Sequence, residues 1–271
     1  MKRVCIRPAE HGTGEDARIL EAGPGGMRGL VLVLACILSS CARPAVVPGD
    51  GARPGSVTRT VVGTPEAGLP YRLHLPSGAS REHRARLIVW LHPGWALDND
   101  EVEQLAGAFA SRGYALLVPT QPLSVRGWSA MESGALLAAT LPEVEARGEV
   151  DTERPVLLGH GAGGDQALEL WLNEPCRFRG IAVSSARPLL TGRTAGEALG
   201  LLEGCTGRAP VLAVLGEVDR ASREWRAAEP SWRAAGVDLT VRIARMRGYR
   251  EWLFDGPQAQ ALLRWLEGLE N

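Results

Sequence analysis

The fold of this chain is decided by the stretch Val156-Leu157-Leu158-Gly159-His160-Gly161-Ala162-Gly163-Gly164. Its apolar start predicts a buried strand, and the small residues that follow predict a sharp turn. A helical pattern begins near Ala162 and continues to Leu172. A strand that runs through a glycine-rich turn directly into a helix is the unit from which helix-covered parallel sheets are built. The stretch therefore predicts one such unit in the middle of the chain.

Outside this stretch, the chain from residue 57 onward alternates between strand-like and helix-like segments. We expect strands over Val57–Gly63, Tyr71–Leu75, Leu87–Leu91, Ala115–Val118, Pro155–Leu158, Gly180–Ser184, Pro210–Leu215 and Leu239–Ile243. We expect helices over Asp100–Arg112, Ser129–Arg147, Ala162–Leu172, Ala221–Ala235 and Pro257–Leu269. The first two strands are expected to pair antiparallel, and Arg187–Gly207 is expected to form an irregular insertion or small cap. The alternation predicts an α/β fold, a mostly parallel sheet with helices on both faces and a ligand crevice beyond the carboxyl ends of its strands.

Three motifs make residues 57–271 resemble an α/β-hydrolase. The resemblance is to the esterase, polyhydroxybutyrate-depolymerase-like and dienelactone-hydrolase-like branches of that superfamily. One is the strand-turn-helix around Gly161. Another is His92-Pro93-Gly94-Trp95, which follows a buried strand where these enzymes carry an H-G-x oxyanion loop. The third is Leu215-Gly216-Glu217-Val218-Asp219, which matches the G-x-x-D pattern of the triad acid. Because proline has no N–H, the resemblance implies an oxyanion hole made by the backbone of Gly94, Trp95 and Ala162.

The resemblance also shows what the chain lacks. Active relatives carry serine at the centre of the turn, in G-x-S-x-G, where Gly161 has no side-chain atom that could attack a carbonyl. Their histidine follows the acid, whereas the histidines of this chain are His11, His74, His83, His92 and His160. In the stretch Arg247-Gly248-Tyr249-Arg250-Glu251-Trp252 that corresponds to it, Arg250 or Tyr249 occupies the histidine position. Guanidinium cannot act as a base near neutral pH, so we expect Arg250 to pair with Asp219 instead.

These losses predict a catalytically inactive pseudo-hydrolase that binds a ligand or a partner. Removing the serine or the histidine from a serine protease costs on the order of 10⁶ in kcat, which leaves about 10³–10⁴ over water. The alternative is an active ester hydrolase with a non-standard nucleophile. Ser184, or a water activated by Asp219, is the candidate for that role.

The crevice is expected to be lined by His92, Trp95, Trp128 and His160. The two tryptophans either wall a pocket for a small apolar, sugar-like or ester-like ligand or pack their own loops. His160 is expected to be a packed support beside the turn. Two histidines without a nearby carboxylate or thiol pattern argue against a metal, and no motif indicates a cofactor.

Charge and composition exclude other classes of function. The chain has 271 residues, with 30 Lys and Arg against 31 Asp and Glu. It therefore offers no basic field for nucleic acid. Lys2 is the only lysine, so Schiff-base chemistry is excluded from the folded domain. No protein partner is identifiable from the sequence.

The N-terminal region has the pattern of a bacterial export signal. The apolar run Leu30–Leu38 is too short to cross a bilayer but suits a signal peptide, and Arg28 precedes it. Leu38-Ser39-Ser40-Cys41 resembles a lipobox, which implies lipidation of Cys41 and attachment to a membrane of the cell envelope. Ala42 implies the outer membrane, and Met27 is the preferred start over Met1. The other interpretation is a buried element with an ordinary thiol at Cys41.

Domain boundaries follow from this pattern. Residues 1–41 are an extension and signal, the Pro- and Gly-rich residues 42–56 are a flexible tether, and residues 57–271 are the folded domain. Cys176 and Cys205 are the cysteines of that domain. In an oxidising compartment they form either a disulfide or two buried free thiols.

Overall fold

The computed structural model describes residues 46–48, 57–63, 70–92, 99–120, 129–188, 209–245, 248 and 256–269. All of them belong to one compact unit, Arg43–Asn271. Within these ranges no helix is both long and apolar enough to cross a membrane.

The described strands form one nine-stranded sheet in the order β1-β2-β3-β5-β4-β6-β7-β8-β9. Their bounds are β1 Val46–Pro48, β2 Val57–Gly63, β3 Tyr71–Pro76, β4 Ala85–Leu91, β5 Tyr114–Pro119, β6 Val150–His160, β7 Gly180–Ser184, β8 Val211–Gly216 and β9 Leu239–Ala244. The pairs β1–β2, β2–β3 and β3–β5 are antiparallel, and every pair from β5 to β9 is parallel. We call the side where the parallel strands end the carboxyl edge, and the opposite side the amino edge.

The described helices connect these strands and cover both faces of the sheet. They are α1 Asn99–Ala110, α2 Ala130–Ala146, α3 Ala162–Asn173, α4 Arg220–Ala234 and α5 Gly256–Gly268. One hydrophobic cluster contains side chains of α2, α3 and α4, and a second contains side chains of α1 and α5. Helix α2 begins with a full capping box, in which Ser129 and Glu132 bond each other's backbone N–H groups.

Strand β4 shows why the sequence folds this way. Leu87, Val89 and Leu91 pack into the cluster of α2, α3 and α4, whereas Ile88 and Trp90 pack into the cluster of α1 and α5. Each of these side chains is at most 1% exposed. Burying one such side chain contributes about 1.5–3 kcal/mol, and successive residues of a strand point to opposite faces. A continuous apolar run is therefore a strand with a core on each side.

The predicted α/β-hydrolase architecture is confirmed, with several differences in the bounds of its elements. Strand β1 lies inside residues 42–56 and pairs with β2, so that segment is not a flexible tether throughout. Strand β6 begins at Val150 rather than at Pro155, and α1 ends at Ala110 rather than at Arg112. The expected insertion Arg187–Gly207 lies almost entirely outside the described residues.

Candidate functional site

The expected position of a ligand crevice follows from the order of the strands in the sheet. The crevice lies where the chain stops adding strands on one side of β4 and begins to add them on the other side. From β4 the chain moves outward to β5 on one side and then crosses to β6 on the other side. Ligands of open α/β sheets bind at such a switch point, beyond the carboxyl ends of the two neighbouring strands. His92 directly follows β4, and Gly161 directly follows β6. The structure therefore places both residues at the carboxyl edge, beside the switch point.

Gly161 forms the turn between β6 and α3, and its backbone has φ 54° and ψ −123°. This combination is outside the regions that residues with a Cβ normally occupy. The Gly161 N–H donates to the Ser184 carbonyl at 2.8 Å, and its carbonyl accepts from the Asp165 N–H at 3.0 Å. The turn is thus held by β7 on one side and by α3 on the other. It is the sharp strand-to-helix turn on which a G-x-S-x-G serine would be presented.

The glycines on either side of Gly161 are required by close backbone packing. A Cβ on Gly159 would lie 2.5 Å from the Gly164 Cα, and a Cβ on Gly163 would overlap the Leu91 carbonyl. Helix α3 consequently begins in contact with the ends of β4 and β6. The pattern Gly159-x-Gly161-x-Gly163 has a structural reason at each glycine, which is independent of any reaction.

His160 is buried beside the turn and interacts with the next strand. Its Nδ1 shares a hydrogen bond with the Ser184 Oγ, and the two residues are 5% and 0% exposed. Burial lowers the pKa of His160 to about 4, against an opposing effect of the negative charge of Asp219. The imidazole is therefore neutral at pH 7. This contact agrees with a supporting role for His160.

Asp219 is the third residue after β8 and caps α4. Its Oδ1 accepts a hydrogen bond from the Ala221 N–H at 3.0 Å, and its buried Oδ2 has no hydrogen-bond partner in the described part of the chain. In an active hydrolase the free oxygen of this acid receives the N–H of the catalytic histidine. Arg250, which the sequence suggests as a partner for Asp219, lies outside the described residues.

His92 ties the ends of two strands together. The ring is 1% exposed, and its Nε2–H donates to the Pro119 carbonyl at 3.1 Å, because a carbonyl oxygen can only accept. It thereby links the end of β4 to the end of β5. Of the residues expected to form the oxyanion hole, Ala162 is the first residue of α3, whereas Gly94 and Trp95 lie outside the described residues. The expected crevice residue Trp128 also lies outside them.

The end of β7 has a feature that the sequence does not reveal. Ser185 has φ 48°, a value that is unusual for a residue with a side chain, and it is 5% exposed. The following segment is pinned by the Trp225 Nε1–H, which donates to the Ala186 carbonyl at 2.8 Å. It is also pinned by Asp165, whose carboxylate accepts from the Arg187 N–H at 2.7 Å. The sequence places Ser184 and Ser185 at a strand end but gives neither the strain nor its supports.

No group of three or more His, Cys, Asp and Glu side chains in the described ranges has the arrangement of a metal site. Cys176 is disulfide-bonded, and its partner is a cysteine outside those ranges. Its pairing with Cys205 stays a prediction, as does lipidation of Cys41.

Strand order, elbow geometry and the positions of Gly161 and Asp219 together define the α/β-hydrolase fold. Comparison with solved structures agrees with this. An S-formylglutathione hydrolase from Agrobacterium tumefaciens is similar with TM-score 0.62 at 12% identity, over 83% of this chain and 98% of that one. A dienelactone hydrolase-like promiscuous phosphotriesterase from metagenomic libraries has TM-score 0.60 at 19% identity, over 79% and 99%. A carboxylesterase from Mesorhizobium loti has TM-score 0.54 at 19% identity, over 77% and 99%.

No protein-family model matches the chain, and no curated protein matches it in sequence. At these identities the structural likeness establishes the fold alone. The function of this protein must be argued from its site.

Proposed function

We propose that this protein is a lipid-anchored pseudo-hydrolase of the bacterial cell envelope, which binds a ligand or a partner at the carboxyl edge without turning it over. The observation that carries the proposal is Gly161, which has the backbone conformation of a nucleophile turn and no side chain. A covalent acyl transfer needs an oxygen or sulfur nucleophile at that point.

The missing base supports the same conclusion. No histidine follows His160 in the sequence, so the position after Asp219 that supplies the general base is not a histidine. Among the described residues the Asp219 Oδ2 has no hydrogen-bond partner, which is what we expect of a triad acid without its histidine. Loss of the serine or of the histidine alone costs on the order of 10⁶ in kcat in a serine protease.

Two features support export to the envelope. Leu38-Ser39-Ser40-Cys41 has the lipobox pattern after a short apolar run. The disulfide at Cys176 fits an oxidising compartment, because cytosolic thiols are kept reduced. Export and loss of catalysis are separate parts of the proposal and are tested separately.

The test of inactivity uses residues 42–271. This chain contains the whole compact unit Arg43–Asn271 and omits the proposed anchor residue, Cys41. We expect no labelling by a fluorophosphonate probe and no hydrolysis of short-chain p-nitrophenyl esters above a heat-treated control. Stoichiometric labelling would refute the proposal. Lipidation is tested by mass spectrometry of the chain from a bacterial membrane, with Cys41→Ser as the control.

One contact favours a second candidate, an ester hydrolase with Ser184 as nucleophile and His160 as base. Their side chains are hydrogen-bonded, and the charge of Asp219 acts on His160. Against it, Ser184 is 0% exposed, and a base whose pKa is about 4 is poorly matched to neutral pH. If this candidate holds, the probe labels Ser184, the activity resembles that of a carboxylic-ester hydrolase, and Ser184→Ala abolishes both.

A further inference from the structure

The first half of strand β6 bulges away from its neighbour β4. Arg86 pairs with Asp151 and Ile88 pairs with Val156, so residues 152–155 of β6 lie opposite Leu87 alone. A bulge bends its strand and turns side chains out of the regular ladder, and bulges are over-represented beside functional sites. This bulge lies at the amino edge, on the opposite side of the sheet from the turn at residue 161.

A cleft of about 480 Å³ lies between this bulge and helix α2. Its apolar wall includes Leu137 and Leu141 of α2, which are 1% and 6% exposed. It is also lined by Arg84, directly before β4, and by Arg177, shortly before β7. All of its lining residues lie within the described ranges. A cleft of this size accommodates a small molecule.

Thr152, in the bulge, provides a polar group in the cleft. The residue is 8% exposed, and its side chain makes no hydrogen bond in the described part of the chain. A largely buried hydroxyl without a partner costs free energy, which a hydrogen bond with a ligand offsets. The cleft therefore offers a hydrogen-bonding group to a ligand beside its apolar wall.

Charges of both signs line the cleft, and some of them are already paired. Arg177 donates to the Glu174 carboxylate at 2.7 Å. Asp151 accepts from the Arg179 guanidinium at 3.4 Å. These two pairs neutralise each other's charges and leave the remaining charged side chains of the cleft to a ligand.

The remaining charges are those of Arg84, Glu145 and Glu153. All three residues are exposed, and their side chains make no hydrogen bond or ion pair within the described ranges. A guanidinium binds a carboxylate through two parallel hydrogen bonds, and glutamate accepts hydrogen bonds from an ammonium group. One positive and two negative side chains are therefore complementary to a ligand with one anionic and two cationic groups.

We propose that the cleft binds a basic amino acid of the lysine type, which has one carboxylate and two ammonium groups on an aliphatic stem. Arg84 binds the carboxylate, and Glu145 and Glu153 bind the ammonium groups. The stem lies along Leu137 and Leu141, because a methylene chain can cover apolar surface while its charged ends reach polar groups. The site is separate from the crevice at the carboxyl edge and does not depend on whether the protein is a pseudo-hydrolase.

Isothermal titration calorimetry of the full chain at low ionic strength tests the class of ligand. The probe is L-lysine, and each of its analogues lacks one of its charges. Norleucine lacks the side-chain ammonium, cadaverine lacks the carboxylate, and Nα-acetyl-lysine, which imitates the end of a peptide, lacks the α-ammonium. We expect lysine to bind about fivefold or more tightly than each analogue, and added salt to weaken its binding. No binding of lysine, or equal affinity for lysine and any analogue, would overturn the proposal.

Charge variants locate the binding site. Glu145→Gln/Glu153→Gln should remove most of the preference for lysine over norleucine, and Arg84→Gln should remove most of the preference for lysine over cadaverine. The matched control is Arg81→Gln/Glu82→Gln, which removes one charge of each sign from the exposed segment before β4 and does not alter the cleft. It should bind lysine as the parent does, and an equal loss in the control would contradict the assignment.

A variant without a charge change tests the cleft itself. Thr152→Val removes the hydroxyl and keeps the shape of the side chain, so it should weaken lysine binding severalfold. It should not lower the free energy of unfolding in urea, because the hydroxyl has no partner in the described part of the folded chain. Unchanged lysine binding by this variant and by the charge variants would place the ligand elsewhere on the chain and overturn the proposal.

Discussion

Acid should destabilise this protein through two buried histidines, and His74 allows the effect to be measured away from the crevice. His74 lies on β3, is 1% exposed, and has its Nδ1 3.2 Å from the Thr60 Oγ1. Its buried Nε2 has no hydrogen-bond partner within the described ranges. Burial lowers its pKa from 6.5 to about 4, and the nearby Arg72 charge adds to the shift. The Glu103 Oε1 lies 3.7 Å from the His74 Nδ1, but the Glu103 side chain is half exposed. It does not offset the effect of burial on the pKa of His74.

The sign of the effect follows from which state binds the proton. Between pH 6.5 and pH 4 the unfolded chain protonates His74 and the folded chain does not, so acid favours unfolding. The stabilisation is complete above pH 6.5 and is lost as the pH falls to about 4. From these pKa values, the free energy of unfolding should fall by about 2.5 kcal/mol between pH 7.5 and pH 4.5 for this histidine. His160, with the same lowered pKa, should contribute a similar amount.

The assay is urea unfolding of residues 42–271 at both pH values, followed by the fluorescence of the buried tryptophans. His74→Leu should flatten the pH dependence by about 2.5 kcal/mol relative to the parent, whatever its effect at pH 7.5. His83→Gln is the control, because His83 is exposed in the turn before β4. If His74→Leu and the parent lose equal stability on acidification, His74 is not buried as a neutral group and the reasoning fails.

Three further changes test the site. Gly161→Ser should lower the free energy of unfolding by about 1–3 kcal/mol, because serine must adopt φ 54°, and it should give no ester turnover because no base is present. The double variant Gly161→Ser/Arg250→His should give measurable turnover. Strong turnover by the single variant would show that another base exists. Gly163→Ala should cost several kcal/mol in urea unfolding, because its Cβ overlaps the Leu91 carbonyl, whereas Gly107→Ala, with open space at its Cβ, should not destabilise the chain. Trp225→Phe should cost about 1–3 kcal/mol by leaving the Ala186 carbonyl unpaired, and a near-neutral result would mean that water replaces the indole N–H.

The sequence predicts those elements whose burial is uniform. Strand β8 is buried along its whole length, so its apolar run is visible without a structure. Strand β1 has only three residues and ends in proline, and its pairing with β2 leaves no periodic pattern. The start of β6 was missed because Asp151, Glu153 and Arg154 give it a polar composition.

At the site, local geometry was predictable and long-range contacts were not. The turn at Gly161 follows from its own glycines, and Asp219 follows from its place after β8. The contact between His160 and Ser184 depends on the parallel register of β6 and β7, in which these two residues are paired. That register is set by packing across the whole sheet and cannot be read from either segment.

The retention of the turn without its serine has a physical explanation. In an active enzyme the nucleophile is held in a strained conformation that costs about 1–3 kcal/mol, and its neighbours must maintain it. Here Gly159 and Gly163 allow the close contacts of α3 with β6 and β4. Glycine at position 161 adopts the same backbone at little cost. Glycine at this turn therefore avoids the strain that serine would carry and leaves the packing of α3 intact, so the fold is compatible with the turn whether or not a nucleophile stands there.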